Sequence, residues 1–183
     1  MPDPGRAEQQ TRRWLEEFVV GLNLCPFARP LLASEQLRVT TCTSGDDADL
    51  QVFFLKELDL LQSKPETEIA TSLLVFTGAL VLFDDFLDYL ALAQDLLVEA
   101  GLEGVVQLAS FHPDYQFDGE PADGASHFSN RSPWPTLHLI REDMLERVLQ
   151  DYPDPEQIPR RNIARLEGIG SDALSRRWRA LQS

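Results

Sequence analysis

The sequence predicts an α/β fold, a small and mostly parallel sheet of about four strands with an antiparallel edge strand, flanked by helices. An N-terminal helix and C-terminal helices complete it. Two observations lead to this prediction: strand-like runs alternate with amphipathic helical stripes, and the run at 69–76 is apolar on both faces, as in a buried parallel strand. With 183 residues, 43% of them hydrophobic, the chain fits a single globular domain over 1–183 with a flexible tail at 1–6.

The first half of the chain predicts an N-terminal helix followed by strands and helices in alternation. Trp14, Phe18 and Leu22 recur every four residues and indicate a helix over 8–22, which Pro26 helps to end. Because a helix lies between successive strands, parallel pairing is expected. Strands are predicted at 37–42 and 69–76, and helices at 47–62 and 82–100.

The second half predicts two more strands, joined by an unusually long connection. The strands are expected at 105–109 and 136–140. The connection of roughly two dozen residues is far above the usual median of about 4–6. Its aromatic residues argue for a loop folded back on the body rather than for disorder. Short helices are predicted after the last strand, at 142–150, 156–168 and 171–182.

Composition excludes several classes of function and location. A net charge of −14 and a pI near 4.5 disfavour binding to nucleic acid or to an acidic membrane surface. The N-terminus has no apolar signal region and no run is long enough to span a membrane, so a cytoplasmic protein is expected. Cys25 and Cys42 are expected to be free thiols.

The candidate site lies at the carboxyl ends of the parallel strands, where open α/β sheets usually bind ligands. His112 follows the third strand, and Asp114 can orient its imidazole for acid/base work or simply form a turn. Asn130, Arg131 and Ser132 return to this edge if the fourth strand is antiparallel to the third. Arg131 then predicts a clamp for a carboxylate or phosphate, or alternatively an internal ion pair that fastens the loop.

Cys25 is the candidate nucleophile. It sits at a sharp corner after the first helix, and His112 with Arg131 would supply a base and a positive setting if that corner packs against the strand ends. The alternative is a small buried hydrophobic residue. No metal-binding motif is present, so no metal is expected. The absence of a glycine-rich phosphate loop and of a G-x-S-x-G elbow disfavours nucleotide-dependent enzymes and serine hydrolases, and no cofactor is expected.

Four blocks of sequence resemble a known family. They are 20–28 (VGLNLCPFA), 109–117 (ASFHPDYQF), 130–139 (NRSPWPTLHL) and Arg161-Asn162. In this order they are similar to the bacterial family of unknown function numbered 1415. The resemblance implies a stand-alone single-domain protein but no activity. By position it marks six candidate site residues, Cys25, His112, Asp114, Asn130, Arg131 and His138.

Two functional hypotheses follow. In the first, the protein is an enzyme that acts on a small polar or anionic molecule. His112 and Asp114 would supply acid/base chemistry, Cys25 the nucleophile, and Asn130, Arg131, Ser132 and His138 the binding groups. In the second, it is a non-catalytic ligand-binding or protein-interaction domain in which these residues are structural. The sequence does not predict an oligomeric state.

Overall fold

The computed structural model describes residues 3–182, and the predicted alternation of helices and strands is present. The expected tail at 1–6 is helical from Pro4 onward, while residues 1 and 2 lie outside the described part. The strands of the described chain are β1 Leu37–Cys42, β2 Thr71–Phe76, β3 Val106–Phe111 and β4 Thr136–Arg141. Its α-helices are α1 Pro4–Trp14, α2 Ala28–Leu32, α3 Asp47–Ser63, α4 Phe83–Glu99, α5 Glu142–Gln150, α6 Ile158–Ile169 and α7 Ser171–Ala180.

Three shorter helical turns complete the described chain. A π-helical turn, Leu15–Val20, prolongs α1, so the predicted helix over 8–22 is a helix with a widened last part. A 3-10 turn, Ala125–Ser129, interrupts the long connection between β3 and β4, and another at Pro155–Gln157 precedes α6. The long connection is therefore ordered, as its aromatic content predicts.

The sheet is mixed, with strand order β1-β2-β4-β3. β1 and β2 pair in parallel, whereas β4 is antiparallel to both β2 and β3. The expected mostly parallel sheet with an antiparallel edge strand was therefore wrong, because β4 is internal and β3 forms the edge. The physical reason is that the β2–α4–β3 crossover skips one strand position, and the long connection returns β4 into that gap. Strand order of this kind is non-local and leaves no periodic signal in the sequence.

Each face of the sheet carries its own layer of helices. Helices α3 and α4 cover one face and pack against Leu74 and Phe76 of β2. The opposite face is covered by α1, the π-helical turn, α6 and α7, which pack against Leu73 and Val75. Alternate residues of β2 thus belong to different cores, and the strand is buried on both sides as its sequence predicts.

Helix ends are fixed by specific caps. The carboxylate of Asp46 accepts hydrogen bonds from the backbone N–H groups of Ala48 and Asp49, and so begins α3. At the other end of α3, the Arg141 guanidinium donates to the carbonyls of Leu61 and Lys64. Because the last carbonyls of a helix have no partner within the helix, this contact ties β4 to the end of α3.

No helix of residues 3–182 has the length and apolar character that crossing a bilayer would require. Both cysteines are free, as predicted, and they lie on different faces of the sheet. Cys25 packs at the margin of the core beneath α1, and Cys42 lies in the core beneath α3 and α4.

Candidate ligand cavity

A cavity of about 840 Å³ lies between the sheet and the helices of the α1 side. Its wall on the sheet includes Leu37 of β1 and Leu73 of β2. Opposite the sheet, the lining comes from the end of α1, from α2, and from the inner sides of α5 and α6. Most of these side chains are apolar, among them Trp14, Val19, Leu32, Met144, Val148 and Ile163.

His138 is the main polar group on the sheet wall of this cavity. The Thr71 hydroxyl donates to the Leu139 carbonyl at 2.7 Å, and its oxygen lies 2.5 Å from His138 Nε2. Since a hydroxyl has one proton, Thr71 Oγ1 accepts here and His138 carries its proton on Nε2. Nδ1 then has no hydrogen-bond partner among the described residues, which leaves an acceptor on a side chain that lines the cavity.

The His138 imidazole is neutral near pH 7. Burial disfavours the charged ring and lowers its pKa from 6.5 to about 4. The sheet position explains this burial, because His138 of β4 is paired with Leu73 of β2 on one side and Ala109 of β3 on the other. A strand on the sheet edge would have left the ring closer to water.

Cys25 lines the cavity from the corner between the first helix and α2. Asn23 at the start of this corner has a φ of 50°, and the Asn162 amide donates to the Leu24 carbonyl at 2.8 Å, so α6 holds the corner in place. Burial raises the pKa of the Cys25 thiol, and backbone hydrogen bonds from Phe27 and Ala28 oppose this shift to a smaller extent. The thiol is therefore protonated near neutral pH.

Asn130 also lines the cavity, but its side-chain amide is already engaged. Nδ2 donates to the Ser110 carbonyl at 3.0 Å, and Oδ1 lies 2.8 Å from the Ser129 hydroxyl. Its backbone carbonyl accepts from the N–H of His112 at 3.0 Å. These contacts place Asn130 as a brace between the end of β3 and the start of β4.

Two further lining residues have buried polar atoms without a partner. Trp14 Nε1 and Ser126 Oγ make no hydrogen bond within the described chain, although both residues are almost fully buried. Such atoms are uncommon, since an unsatisfied buried donor or acceptor costs on the order of 1–3 kcal/mol. Each atom has less than 1 Å² of accessible surface, so neither is presented to the cavity although both residues line it. Sequence reasoning missed both, because Trp14 was assigned to a helical core stripe and Ser126 lies in a polar stretch.

The charged side chains that line the cavity are all acidic. The charged residues among the described ones that line the cavity are Glu66, Asp118 and Glu120, and no lysine or arginine is among them. Glu66 is partly exposed, and Asp118 and Glu120 are exposed. All three therefore lie at the margin of the cavity, where it meets solvent. No three His, Cys, Asp or Glu residues within 3–182 gather closely enough to hold a metal ion.

His112 lies outside this cavity, on the side of α4. Its Nε2 donates to the Leu80 carbonyl at 3.0 Å, and its Nδ1 accepts from the backbone N–H of Asp114 at 3.0 Å. The ring packs 5.2 Å from those of Phe83 and Phe86, and burial lowers its pKa. Both ring nitrogens are thus occupied, and Asp114 contributes its backbone while its side chain is exposed.

Arg131 and Ser132 are likewise engaged within the protein. Arg131 Nε donates to the Tyr115 carbonyl at 3.1 Å, its guanidinium lies 4.9 Å from the centre of the Phe128 ring, and burial lowers its pKa. The Ser132 hydroxyl donates to the Trp134 carbonyl at 2.5 Å. Neither residue lines the cavity, and no carboxylate among residues 3–182 forms an ion pair with Arg131. The loop is fastened by carbonyl and aromatic contacts.

The carboxyl-end edge of the sheet is tightly packed. A Cβ placed on Gly78 would lie 2.1 Å from the Thr43 carbonyl oxygen, so the loops after β1 and β2 touch through their backbones. Of the predicted site residues, the structure brings Cys25, Asn130 and His138 to one cavity on the face of the sheet. It separates His112, Asp114, Arg131 and Ser132 from that cavity.

Comparison with known proteins gives one match. The family model described as a protein of unknown function, DUF1415, matches residues 6–176. No curated protein and no solved structure matches the chain.

Proposed function

The chain belongs to the DUF1415 family of proteins of unknown function, and we propose that it binds a small, mostly apolar molecule in the cavity between the sheet and α1, α2, α5 and α6. The observation behind this proposal is the cavity itself. Its volume of about 840 Å³ falls in the range of roughly 300–1,000 Å³ typical of small-molecule sites. Its wall is apolar with a few polar groups, which is the composition that such sites use for affinity and orientation.

One polar group is suited to orient the bound molecule. Because His138 Nε2 is bonded to Thr71, His138 Nδ1 offers an acceptor on a side chain that lines the cavity. This favours a molecule that carries a hydrogen-bond donor on an apolar body.

An enzyme acting on a small anion receives less support from the same contacts. His112 has no free ring nitrogen, and the Arg131 fork is turned toward Tyr115 and Phe128. Within the described part of the chain, the cavity lining contributes carboxylates and no lysine or arginine. A clamp for carboxylate or phosphate would require the opposite balance of charge.

A second candidate is a thiol-dependent enzyme that uses the same cavity. Cys25 and His138 both line it, and a neutral imidazole can act as a base. The raised pKa of the Cys25 thiol disfavours a resting thiolate, so this candidate ranks below simple binding. A Cys25→Ser variant separates the two, because binding of a neutral apolar probe should survive this change whereas thiol chemistry should not.

We place this binding in the cytoplasm. Two unpaired thiols suit a reducing compartment, and the net charge of −14 opposes nucleic acid as the partner.

Probe binding tests the proposal. N-phenyl-1-naphthylamine is a neutral apolar dye whose fluorescence rises in a dry site. We expect saturable binding to the native protein, and a loss of affinity of at least about tenfold in a Val148→Trp variant, whose larger side chain fills part of the cavity. Val52→Trp is the matched control, since Val52 is 48% exposed on α3 and does not line the cavity.

If the dye fails to saturate, or if Val148→Trp and Val52→Trp bind it as well as the native chain does, the cavity is not a ligand site. Thermal unfolding of both variants, followed by circular dichroism, checks that each is folded before its affinity is compared.

A further inference from the structure

We infer that the ligand of this cavity is an organic cation, an amine on an apolar body, with the ammonium group held at the cavity margin by Asp118 and Glu120. This inference rests on the proposed binding function and names the chemical class of the ligand. It follows from the charges of the lining, from the neutrality of the polar groups inside, and from the way the acidic turn is anchored.

Asp118 and Glu120 are the carboxylates available to a ligand. Glu66, the third acidic residue of the lining, already forms an ion pair with Arg147. The side chains of Asp118 and Glu120 make no ion pair and no hydrogen bond with other described residues. Both are exposed, so they stand where the cavity opens to water.

The turn that carries these carboxylates is held in place by a buried histidine. His127 Nδ1 accepts from the backbone N–H of Phe117 at 3.1 Å, and its Nε2 donates to the Pro121 carbonyl at 2.7 Å. These bonds clamp both ends of the segment that contains Asp118 and Glu120. The His127 ring is fully buried and stacks on Phe117 at 6.0 Å. The two carboxylates are therefore presented from a fixed turn rather than from a loose loop.

Nothing on the cavity wall opposes a cation. The His138 ring is neutral and the Cys25 thiol is protonated, and the charged lining residues among the described ones, Glu66, Asp118 and Glu120, are all acidic. A ligand carboxylate would face two carboxylates without a compensating arginine or lysine. An ammonium would face the same two groups favourably, and the protein's net charge of −14 would raise its local concentration.

Aromatic rings along the cavity strengthen the preference. Phe117, directly before Asp118, lines the cavity, as does Phe111. The face of an aromatic ring attracts a cation and repels an anion. The apolar wall contributes equally to the binding of any hydrophobic tail, so the carboxylates and the rings together decide which head group is preferred.

A matched series of ten-carbon molecules tests the inference. Decylammonium, decanol and decanoate share one tail and differ in the charge of the head group, and each is used below its micelle concentration to displace N-phenyl-1-naphthylamine at pH 7 and low salt. Two partly exposed ion pairs are expected to give decylammonium an advantage of about tenfold over decanol, with decanoate weakest. The advantage should shrink when the salt concentration is raised to about 0.5 M, because exposed ion pairs are screened.

Charge-removing variants locate the effect. The double variant Asp118→Asn, Glu120→Gln should lose the preference for decylammonium while its affinity for decanol is unchanged. Asp88→Asn with Asp95→Asn removes the same charge from exposed positions on α4, on the other face of the sheet, and should keep the preference. If the double variant at the acidic turn is unstable, the two single variants are compared, and each should lose about half of the preference on a logarithmic scale.

The outcomes separate this inference from the proposed function. Saturable dye binding with equal displacement by all three molecules would keep the binding function and overturn the cation. Equal loss of preference in the control on α4 would also overturn it, because the effect would then come from net charge alone. A protein that binds no dye would remove the proposed function, and the cation inference with it.

Discussion

The neutral state of His138 makes the stability of the fold depend on pH in a defined window. The ring lies on the cavity wall with Nε2 bonded to Thr71, and its pKa in the folded protein is about 4 instead of 6.5. Between these two values the unfolded chain binds a proton that the folded chain does not. The contribution of His138 to the unfolding free energy is therefore greatest above pH 6.5, and it falls as the pH is lowered toward 4.

The size of the effect follows from the two pKa values. Each pH unit below 6.5 favours the unfolded chain by about 1.4 kcal/mol, as long as the folded ring stays neutral. Lowering the pH from 7 to 5 should thus remove about 2 kcal/mol of unfolding free energy through His138 alone. This is a large part of the ~5–15 kcal/mol that a domain of ordinary stability has.

Urea unfolding at pH 7, 6 and 5, followed by tryptophan fluorescence, measures the effect in the native chain and in His138→Gln. The glutamine amide can still donate to Thr71 but does not titrate, so its stability should fall by about 2 kcal/mol less over this range. Burial also lowers the pKa of His112, and this contribution cancels because both proteins contain it. If the loss of unfolding free energy between pH 7 and pH 5 differs between the two proteins by less than about 0.5 kcal/mol, the argument is refuted.

Three further predictions concern the frame around the cavity. Asp46→Ala, which removes the cap of α3, should cost about 1 kcal/mol in urea unfolding, against no change for the exposed Asp59→Ala. Arg141→Met should cost about 2 kcal/mol in the same assay, since carbonyls at the end of α3 lose a charged donor. Cys25 should react with iodoacetamide at pH 7 at least about tenfold more slowly than a free thiol, and His112→Ala should leave this rate unchanged in the folded protein.

Local periodicity was sufficient to predict most helices and strands of this fold. The strand at 37–42 agrees with β1, and the helix at 47–62 agrees with α3 to within one residue. The short segments were missed, namely α2 and the 3-10 turn Ala125–Ser129, because five residues give no periodic signal and α2 contains Pro30. The position of β4 was wrong for a different reason, since strand order depends on contacts between remote parts of the chain.

The candidate site was predictable only in part. Cys25, Asn130 and His138 line the cavity, and residue chemistry together with the family resemblance had marked them. His112 and Arg131 were chosen by chemistry as well, but the partners that occupy them are backbone carbonyls of Leu80 and Tyr115. Backbone partners have no signature in a sequence, because every residue carries the same carbonyl group. Asn162 belongs to one of the blocks quoted for the resemblance and lines the cavity from α6, but no role was predicted for it.

The internal position of β4 explains why the cavity lies on the face of the sheet. Alternation along this strand sends Leu137 and Leu139 into the core beneath α3 and α4, and it leaves His138 on the opposite face. At the sheet edge this ring would be hydrated and would titrate near its ordinary pKa. Between β2 and β3 it is partly buried and neutral, and Thr71 on the neighbouring strand fixes its tautomer.

A single fixed acceptor in an otherwise apolar sheet wall has a direct consequence for recognition. His138 Nδ1 cannot reorient without breaking the bond between Nε2 and Thr71, so it accepts from one direction only. The carboxylates of Asp118 and Glu120 stand at the cavity margin, on a turn that His127 clamps at both ends. A ligand that met both would carry a cationic end and an N–H or O–H donor further along its body. An apolar amine that lacks this donor should therefore bind more weakly than one that carries it, and in His138→Leu, whose side chain has no acceptor, the difference between the two should disappear.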